Sequence, residues 1–226
     1  MQTQVIVVGT GKLATELLSS LKVDHECVVT AWGRGKSAAN KSIIIHAGSG
    51  RELKAATAYC EATQSPLIEL ATGSEIALAT HVFPIVLCPN TNILMLKFMS
   101  MIEKSGHLFR GQRITFAESH QAQKTSVPGT AVSIAHALGL KDSDVLSIRN
   151  LTTQRADLEI PEEHLARHAF HRILIEDGGC SLKLETRVYG ESPYADGVAR
   201  IVTAVQNQDL DNRLYSIMEF VNNGWI

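Results

Sequence analysis

The stretch Ala117-Glu118-Ser119-His120-Gln121-Ala122-Gln123-Lys124-Thr125-Ser126-Val127-Pro128-Gly129-Thr130-Ala131 gathers the side chains best able to do chemistry. It brings a histidine and a lysine out of a strand end, passes through a turn, and opens a helix at Gly129-Thr130. An ammonium group at Lys124 beside the free amides of a helix N-terminus makes an anion pocket. An imidazole titrates near neutrality, so His120, four residues before Lys124, suits proton donation to a substrate being reduced. His120 and Lys124 are the candidate catalytic residues. Gly129 and Thr130 are the candidate substrate-binding ones, and a small carboxylated molecule is the expected ligand.

A second chemical signal opens the chain. Val5-Ile6-Val7-Val8 is an apolar run of the kind buried on both faces of a parallel sheet. Gly9-Thr10-Gly11-Lys12-Leu13-Ala14 follows it, and Leu13, Leu17, Leu18 and Leu21 then recur at helical spacing. In such a turn Gly9 permits the tight bend, Gly11 lets the backbone approach a pyrophosphate, and Ala14 lets helix and strand pack closely. The alternative is a plain βα turn without a ligand. After the next strand, Trp32-Gly33-Arg34-Gly35-Lys36-Ser37 lacks the acid that takes a ribose 2′-hydroxyl. Arg34 and Lys36 suit a 2′-phosphate instead, so NADPH is the expected cofactor, with NADH possible. His46, at a strand end where the nicotinamide ribose lies in this fold, is a further cofactor-lining candidate; the alternative is a hydrogen-bonded strand-end histidine.

These residues need a frame. Strands expected at Val5–Val8, Cys27–Ala31, Ser42–Ala47, Pro66–Ala71 and Pro84–Cys88 alternate with helical patterns, implying a parallel sheet with right-handed crossovers. From about residue 112 the pattern becomes β-rich. Arg172–Glu176 and Ser181–Arg187 flank Asp177-Gly178-Gly179, a hairpin signal. The expected fold class is α/β: an N-terminal Rossmann dinucleotide-binding domain plus an α+β domain with a mixed open sheet. Residues 1–91 form the first domain, with 192–226 returning to it, and 92–191 form the second. The tail is read as helix over Gly197–Val205 and Leu214–Val221. A net charge of −2 over 226 residues gives no reason to expect a nucleic-acid or membrane partner. The chain shows no leader-like start and no long apolar run, so a cytoplasmic location is expected. Cys27, Cys60, Cys88 and Cys180 form no CxxC pair and are expected as free thiols.

The segment around His120 resembles the dihydrodipicolinate reductases (4-hydroxy-tetrahydrodipicolinate reductases), whose signature runs E-x-H-H-x-x-K-x-D-x-P-S-G-T-A. Glu118, His120, Lys124, Pro128, Gly129, Thr130 and Ala131 match it. Further similarity lies at Thr72-Gly73, at Pro89-Asn90, at Tyr194–Ala199 and at Leu214-Tyr215-Ser216. The resemblance implies a homo-oligomer, tetramer or dimer, and hydride transfer from a nicotinamide to a cyclic imine carrying carboxylates. It implies that His120 assists protonation, that Lys124 acts as acid or holds substrate, and that Gly129 and Thr130 bind a carboxylate. Gly9, Gly11, Lys12, Leu13, Arg34, Lys36, His46, Thr72, Gly73, Pro89 and Asn90 are the expected cofactor contacts. The chain departs from the signature at Gln121 and Ser126, and it lacks the serine between Pro128 and Gly129. Glu191 stands where many members have arginine. A reductase of a different imino acid, or a non-catalytic nucleotide-binding protein on the same fold, are the competing readings.

His164, His168 and His171 fall at helical spacing and are read as a polar helix face; no third ligand is placed for a metal.

Overall fold

A computed structural model describes residues 3–33, 41–78, 80–190 and 194–226. The chain divides into two compact units, one of residues 1–96 with 194–226, the other of residues 97–193.

The chain runs β1 (Thr3–Val8), α1 (Lys12–Ser20), β2 (Cys27–Ala31), β3 (Ser42–His46), α2 (Leu53–Thr63), β4 (Leu67–Glu69), β5 (Ile85–Leu87) and α3 (Ile93–Ser105). It continues with β6 (Arg113–His120), α4 (Gly129–Ala137), β7 (Val145–Ile148), α5 (Leu151–Ala156), β8 (Ala169–Asp177) and β9 (Cys180–Val188). Last come α6 (Ala195–Asn207), β10 (Leu214–Ser216) and α7 (Ile217–Asn222).

The first unit holds a six-stranded parallel sheet in the order β10-β5-β4-β3-β1-β2. Its strands are apolar on both faces because both are covered. Val5, Val7, Ile43, Ile45 and Val86 pack on one side with Leu17, Val198, Ile201 and Phe220. Ile6, Val8, Ile44, Leu67 and Ile85 pack on the other with Ala56 and Cys60. The chain goes from β1 outward to β2, then returns to β3 on the opposite side of β1. That reversal opens a crevice at the carboxyl ends of β1 and β3, where ligands of such sheets bind.

The second unit is a mixed sheet, order β7-β6-β8-β9, with β6 parallel to β7 and antiparallel to β8. One face carries Phe116, Ile173 and Ile175 against Ile134, Ala135 and Leu138 of α4. The other carries Phe170 against Leu158 and Ile160.

Two expectations are corrected. His164 ends a short 3-10 turn, His168 is in a loop and His171 is in β8, so these histidines share no helix. Leu214–Ser216 is a strand paired with β5, and the helix after it starts only at Ile217. In α3, Met95 and Leu96 are buried and Leu94 is exposed. Cys27, Cys60, Cys88 and Cys180 are free thiols, and burial pushes Cys60 and Cys88 up to about 12.

Candidate functional site

The phosphate turn has the geometry its sequence implies. Gly9 has φ of +132°, and a Cβ there would lie 2.8 Å from the Ala47 carbonyl oxygen, so only glycine fits. A Cβ on Gly11 would meet nothing within 4 Å, which leaves its backbone open to a ligand. Gly11 starts α1 with no side-chain cap, leaving the first amides of the helix free for an anion. Thr10, Gly11, Lys12 and Leu13 face Ala47, Gly48 and Arg51 across a cavity of about 460 Å³. These features suit a dinucleotide's pyrophosphate. Trp32 packs edge-on against Tyr59. Arg34, Lys36 and Glu191 lie outside the described residues.

His46 closes β3 beside this turn and is fully buried. Its Nδ1 bonds both carboxylate oxygens of buried Glu69, at 2.8 and 2.9 Å. Glu69 also accepts from the Ala71 amide and the Ser74 hydroxyl, bracing the loop that carries Thr72 and Gly73. The His46 Nε2 has no partner, and a Cβ on Gly48 would come within 3.0 Å of it. The hydrogen-bonded alternative for His46 is therefore the geometry found. Pro89 and Asn90 follow β5; the Asn90 side chain accepts from the Asn92 amide and so holds its own turn.

In the second unit the register lays a polar row across the sheet. Ser147 of β7 lies beside Glu118 of β6, Glu118 opposite His171 of β8, and His171 opposite Thr186 of β9. The row two residues back is apolar, with Val145, Phe116, Ile173 and Leu184. Glu118 is buried, and its carboxylate accepts from His120 Nδ1 (2.8 Å), from the Ser147 hydroxyl, and from two Arg149 nitrogens (2.6 and 3.2 Å). Burial pushes this carboxyl up, but the hydrogen bonds and the Arg149 charge outweigh it and hold it at about 2. It is ionised at any ordinary pH. A carboxylate on Nδ1 fixes that nitrogen as the protonated one and leaves His120 Nε2 for proton exchange.

The His120 ring stacks near His168 and meets His171 edge-on. Burial lowers both neighbours, His171 to about 4, with further lowering by the nearby His120. Near neutrality those two imidazoles are uncharged. His168 accepts or donates to the Ser119 hydroxyl, which Gln154 also contacts while donating to the His120 carbonyl. Lys124 sits in the following turn; its amide donates to Gln121, and its carbonyl accepts from Arg149 Nε at 2.9 Å. Pro128 precedes α4 without a side-chain cap, and the helix makes its first bond from Val132 to the Pro128 carbonyl. The amides of Gly129 and Thr130 are thus left for a ligand.

His120, Lys124, Gly129 and Thr130 therefore belong to the second unit, and the glycine turn with His46, Thr72 and Asn90 to the first. Sequence reasoning missed Arg149, Ser147 and Glu69, and it placed His171 on a helix face instead of in β8. The one signal available was the alternation Phe116, Glu118, His120, which puts two polar groups at the end of a core-facing strand.

The sheet order and the phosphate turn are those of a Rossmann-type fold, followed in the chain by a mixed-sheet unit. No protein-family model matches the chain. Over 134 residues it is 31% identical to 4-hydroxy-tetrahydrodipicolinate reductase 1, chloroplastic, of Arabidopsis thaliana, covering 55% of this chain and 39% of that relative. The probable 4-hydroxy-tetrahydrodipicolinate reductase 1, chloroplastic, of Oryza sativa subsp. japonica is 29% identical over 134 residues, with the same coverage of 55% and 39%. The chain thus spans about two-fifths of the length of the curated relatives it matches. Among solved structures, the dipicolinate-bound dihydrodipicolinate reductase from Paenisporosarcina sp. TG-14 superposes with a TM-score of 0.64 at 16% identity, covering 96% of this chain and 98% of that one. The chain is similar to the 4-hydroxy-tetrahydrodipicolinate reductases in sequence over that stretch, and to a dihydrodipicolinate reductase in fold over nearly its whole length. No helix among the described residues is long and apolar enough to cross a membrane.

Proposed function

We propose that the protein is a pyridine-nucleotide-dependent reductase of a small cyclic imine bearing carboxylates, with 4-hydroxy-tetrahydrodipicolinate as the first substrate to test. The observation that carries this reading is the Glu118–His120 hydrogen bond next to Lys124 and the uncapped start of α4. A binder with no chemistry to perform has no need of an oriented imidazole beside an anion pocket.

The bound dinucleotide would supply a hydride to the imine carbon. Gly9, Gly11 and the start of α1 would hold its pyrophosphate, and the loops braced by Glu69 would flank its other half. Arg34 and Lys36 would take a 2′-phosphate, making NADPH the preferred form. In the second unit the amides of Gly129 and Thr130, with the Lys124 ammonium, would bind a substrate carboxylate. His120, oriented by Glu118, would give the imine nitrogen its proton through Nε2, or Lys124 would do so with His120 resupplying it. The carboxylate turn is one residue shorter than the family signature and lacks its serine hydroxyl. That favours, as a second reading, an imino acid of different size on the same machinery.

The test is a coupled assay. Aspartate semialdehyde, pyruvate and the preceding synthase generate the imine, and NADPH absorbance is followed on adding this protein. Consumption is expected; none at high protein concentration removes the 4-hydroxy-tetrahydrodipicolinate assignment. With turnover established, Lys124→Ala should reduce it by a factor of about 10² to 10⁴. Dissociation constants for NADPH and NADH should differ in favour of NADPH, and Arg34→Ala should narrow the gap; equal affinities in the unaltered protein would sink the 2′-phosphate assignment.

A further inference from the structure

An arginine beside a candidate carboxylate pocket invites a simple role, that of clamping the substrate. The geometry of Arg149 argues against it. Its Nε donates to the Lys124 carbonyl at 2.9 Å. One terminal nitrogen donates to a Glu118 oxygen and to the Ile148 carbonyl, and the other donates to the second Glu118 oxygen at 2.6 Å. A guanidinium has five N–H donors. Four are committed inside the second unit, and the charge is already matched by a buried carboxylate.

The same bonds join two parts of the candidate machinery. Glu118, held by Arg149 and Ser147, orients the His120 ring. The Lys124 main chain is held by the other edge of the same guanidinium. We propose that Arg149 is a positioning residue that sets His120 and Lys124 relative to one another and does not itself hold substrate. The proposal rests on the reductase reading for its catalytic consequence, though not for its geometry.

Lysine cannot reproduce the arrangement. An ammonium is a point charge, and the two edges of the guanidinium serve different partners. Removing Arg149 also deprives Glu118 of two hydrogen bonds and a neighbouring positive charge, leaving only the His120 and Ser147 hydrogen bonds to oppose the upward push of burial.

The experiment compares Arg149→Met, Arg149→Lys and Arg149→Gly with the unaltered protein, using the imine and NADPH as probes. Arg149→Met should lower kcat about 100-fold, the scale of a catalytic group displaced by an ångström. KM for the imine and the affinity for NADPH should hardly change. Added guanidinium ion should restore part of the rate of Arg149→Gly, and ammonium ion should not. A raised KM with kcat intact would mean that Arg149 holds substrate, and unchanged kinetics would equally overturn the proposal. A second readout is independent of turnover. Carbon NMR of labelled glutamate should show the Glu118 carboxyl titrating at about 2 in the unaltered protein and well above that in Arg149→Met. If no cyclic imine is reduced by the unaltered protein, the reductase reading fails by itself. The NMR titration then decides the positioning role, and a Glu118 unmoved by Arg149→Met overturns it. Should Arg149→Met not fold, Arg149→Lys serves the same two measurements.

Discussion

At Glu118 burial and charge act in opposite directions, and the outcome has a readable pH signature. Its carboxyl is held at about 2, below the ordinary 4.5, so the folded state releases this proton more readily than the unfolded chain does. The stabilisation is fully present above about pH 4.5 and is lost as pH falls towards 2. Glu118→Gln should therefore lower the melting temperature at neutral pH, and the gap should close on acidification; a gap independent of pH would refute the ionised pair. Gly9 makes a different kind of residue-level claim. Gly9→Ala puts a methyl against the Ala47 carbonyl in a backbone region that L-residues avoid, at about 1–3 kcal/mol. Weaker NADPH binding and a lower melting temperature should appear together. His120, Lys124 and Gly9 were legible because each announces itself locally, by residue type next to a turn. Arg149 and Glu69 were not. Their importance comes from partners 31 and 23 residues away, which only the strand register brings together.

Secondary-structure elements were legible where hydrophobic period and turn chemistry agreed. The five early strands, the hairpin around Gly178-Gly179 and the helix opening at Gly129 are all present. Where a short segment carries two structures, periodicity fails. Leu214–Val221 has helical spacing, yet its first three residues pair with β5 before α7 begins. The switch is made at Ser216, whose side chain accepts from the Met218 amide while Glu219 accepts from the Ser216 amide. Ser216→Ala should cost about 1 kcal/mol in denaturant unfolding, as loss of an N-cap does. Gly197 in α6 tests packing against propensity. Glycine inside a helix is ordinarily worse than alanine by about 1 kcal/mol. Here a Cβ would lie 1.7 Å from the Thr91 carbonyl oxygen. Gly197→Ala should destabilise by about 3 kcal/mol or more, against the propensity scale. A stabilised variant would show that α6 and the Thr91 segment do not approach this closely.

At the scale of the whole molecule, acid sensitivity should have a second, higher component. Burial holds His171 at about 4, against 6.5 for a free imidazole, with the His120 charge lowering it further. Between those values the unfolded chain takes up a proton that the folded one refuses. That uptake favours unfolding, so stability is full above about pH 6.5 and declines towards pH 4, at up to about 1.4 kcal/mol per pH unit. His171 lies nearly parallel to Phe116, so His171→Phe should preserve packing and flatten the stability profile across that window. The three-histidine pattern was misread from sequence because a spacing of three or four does not distinguish a helix face from a loop entering a strand.

The division of the chain also bears on its manufacture. Residues 97–193 are continuous, whereas the first unit needs Tyr194–Ile226 to supply α6, β10 and α7. On a ribosome, the later-coded unit has its whole sequence in hand while the earlier one still lacks an edge strand and the partners of Leu17 and Val7. A released chain truncated after residue 193 should therefore resist protease in its second unit and be cut in its first. The phosphate turn, though it precedes the second unit in sequence, would thus sit in a unit completed only after it.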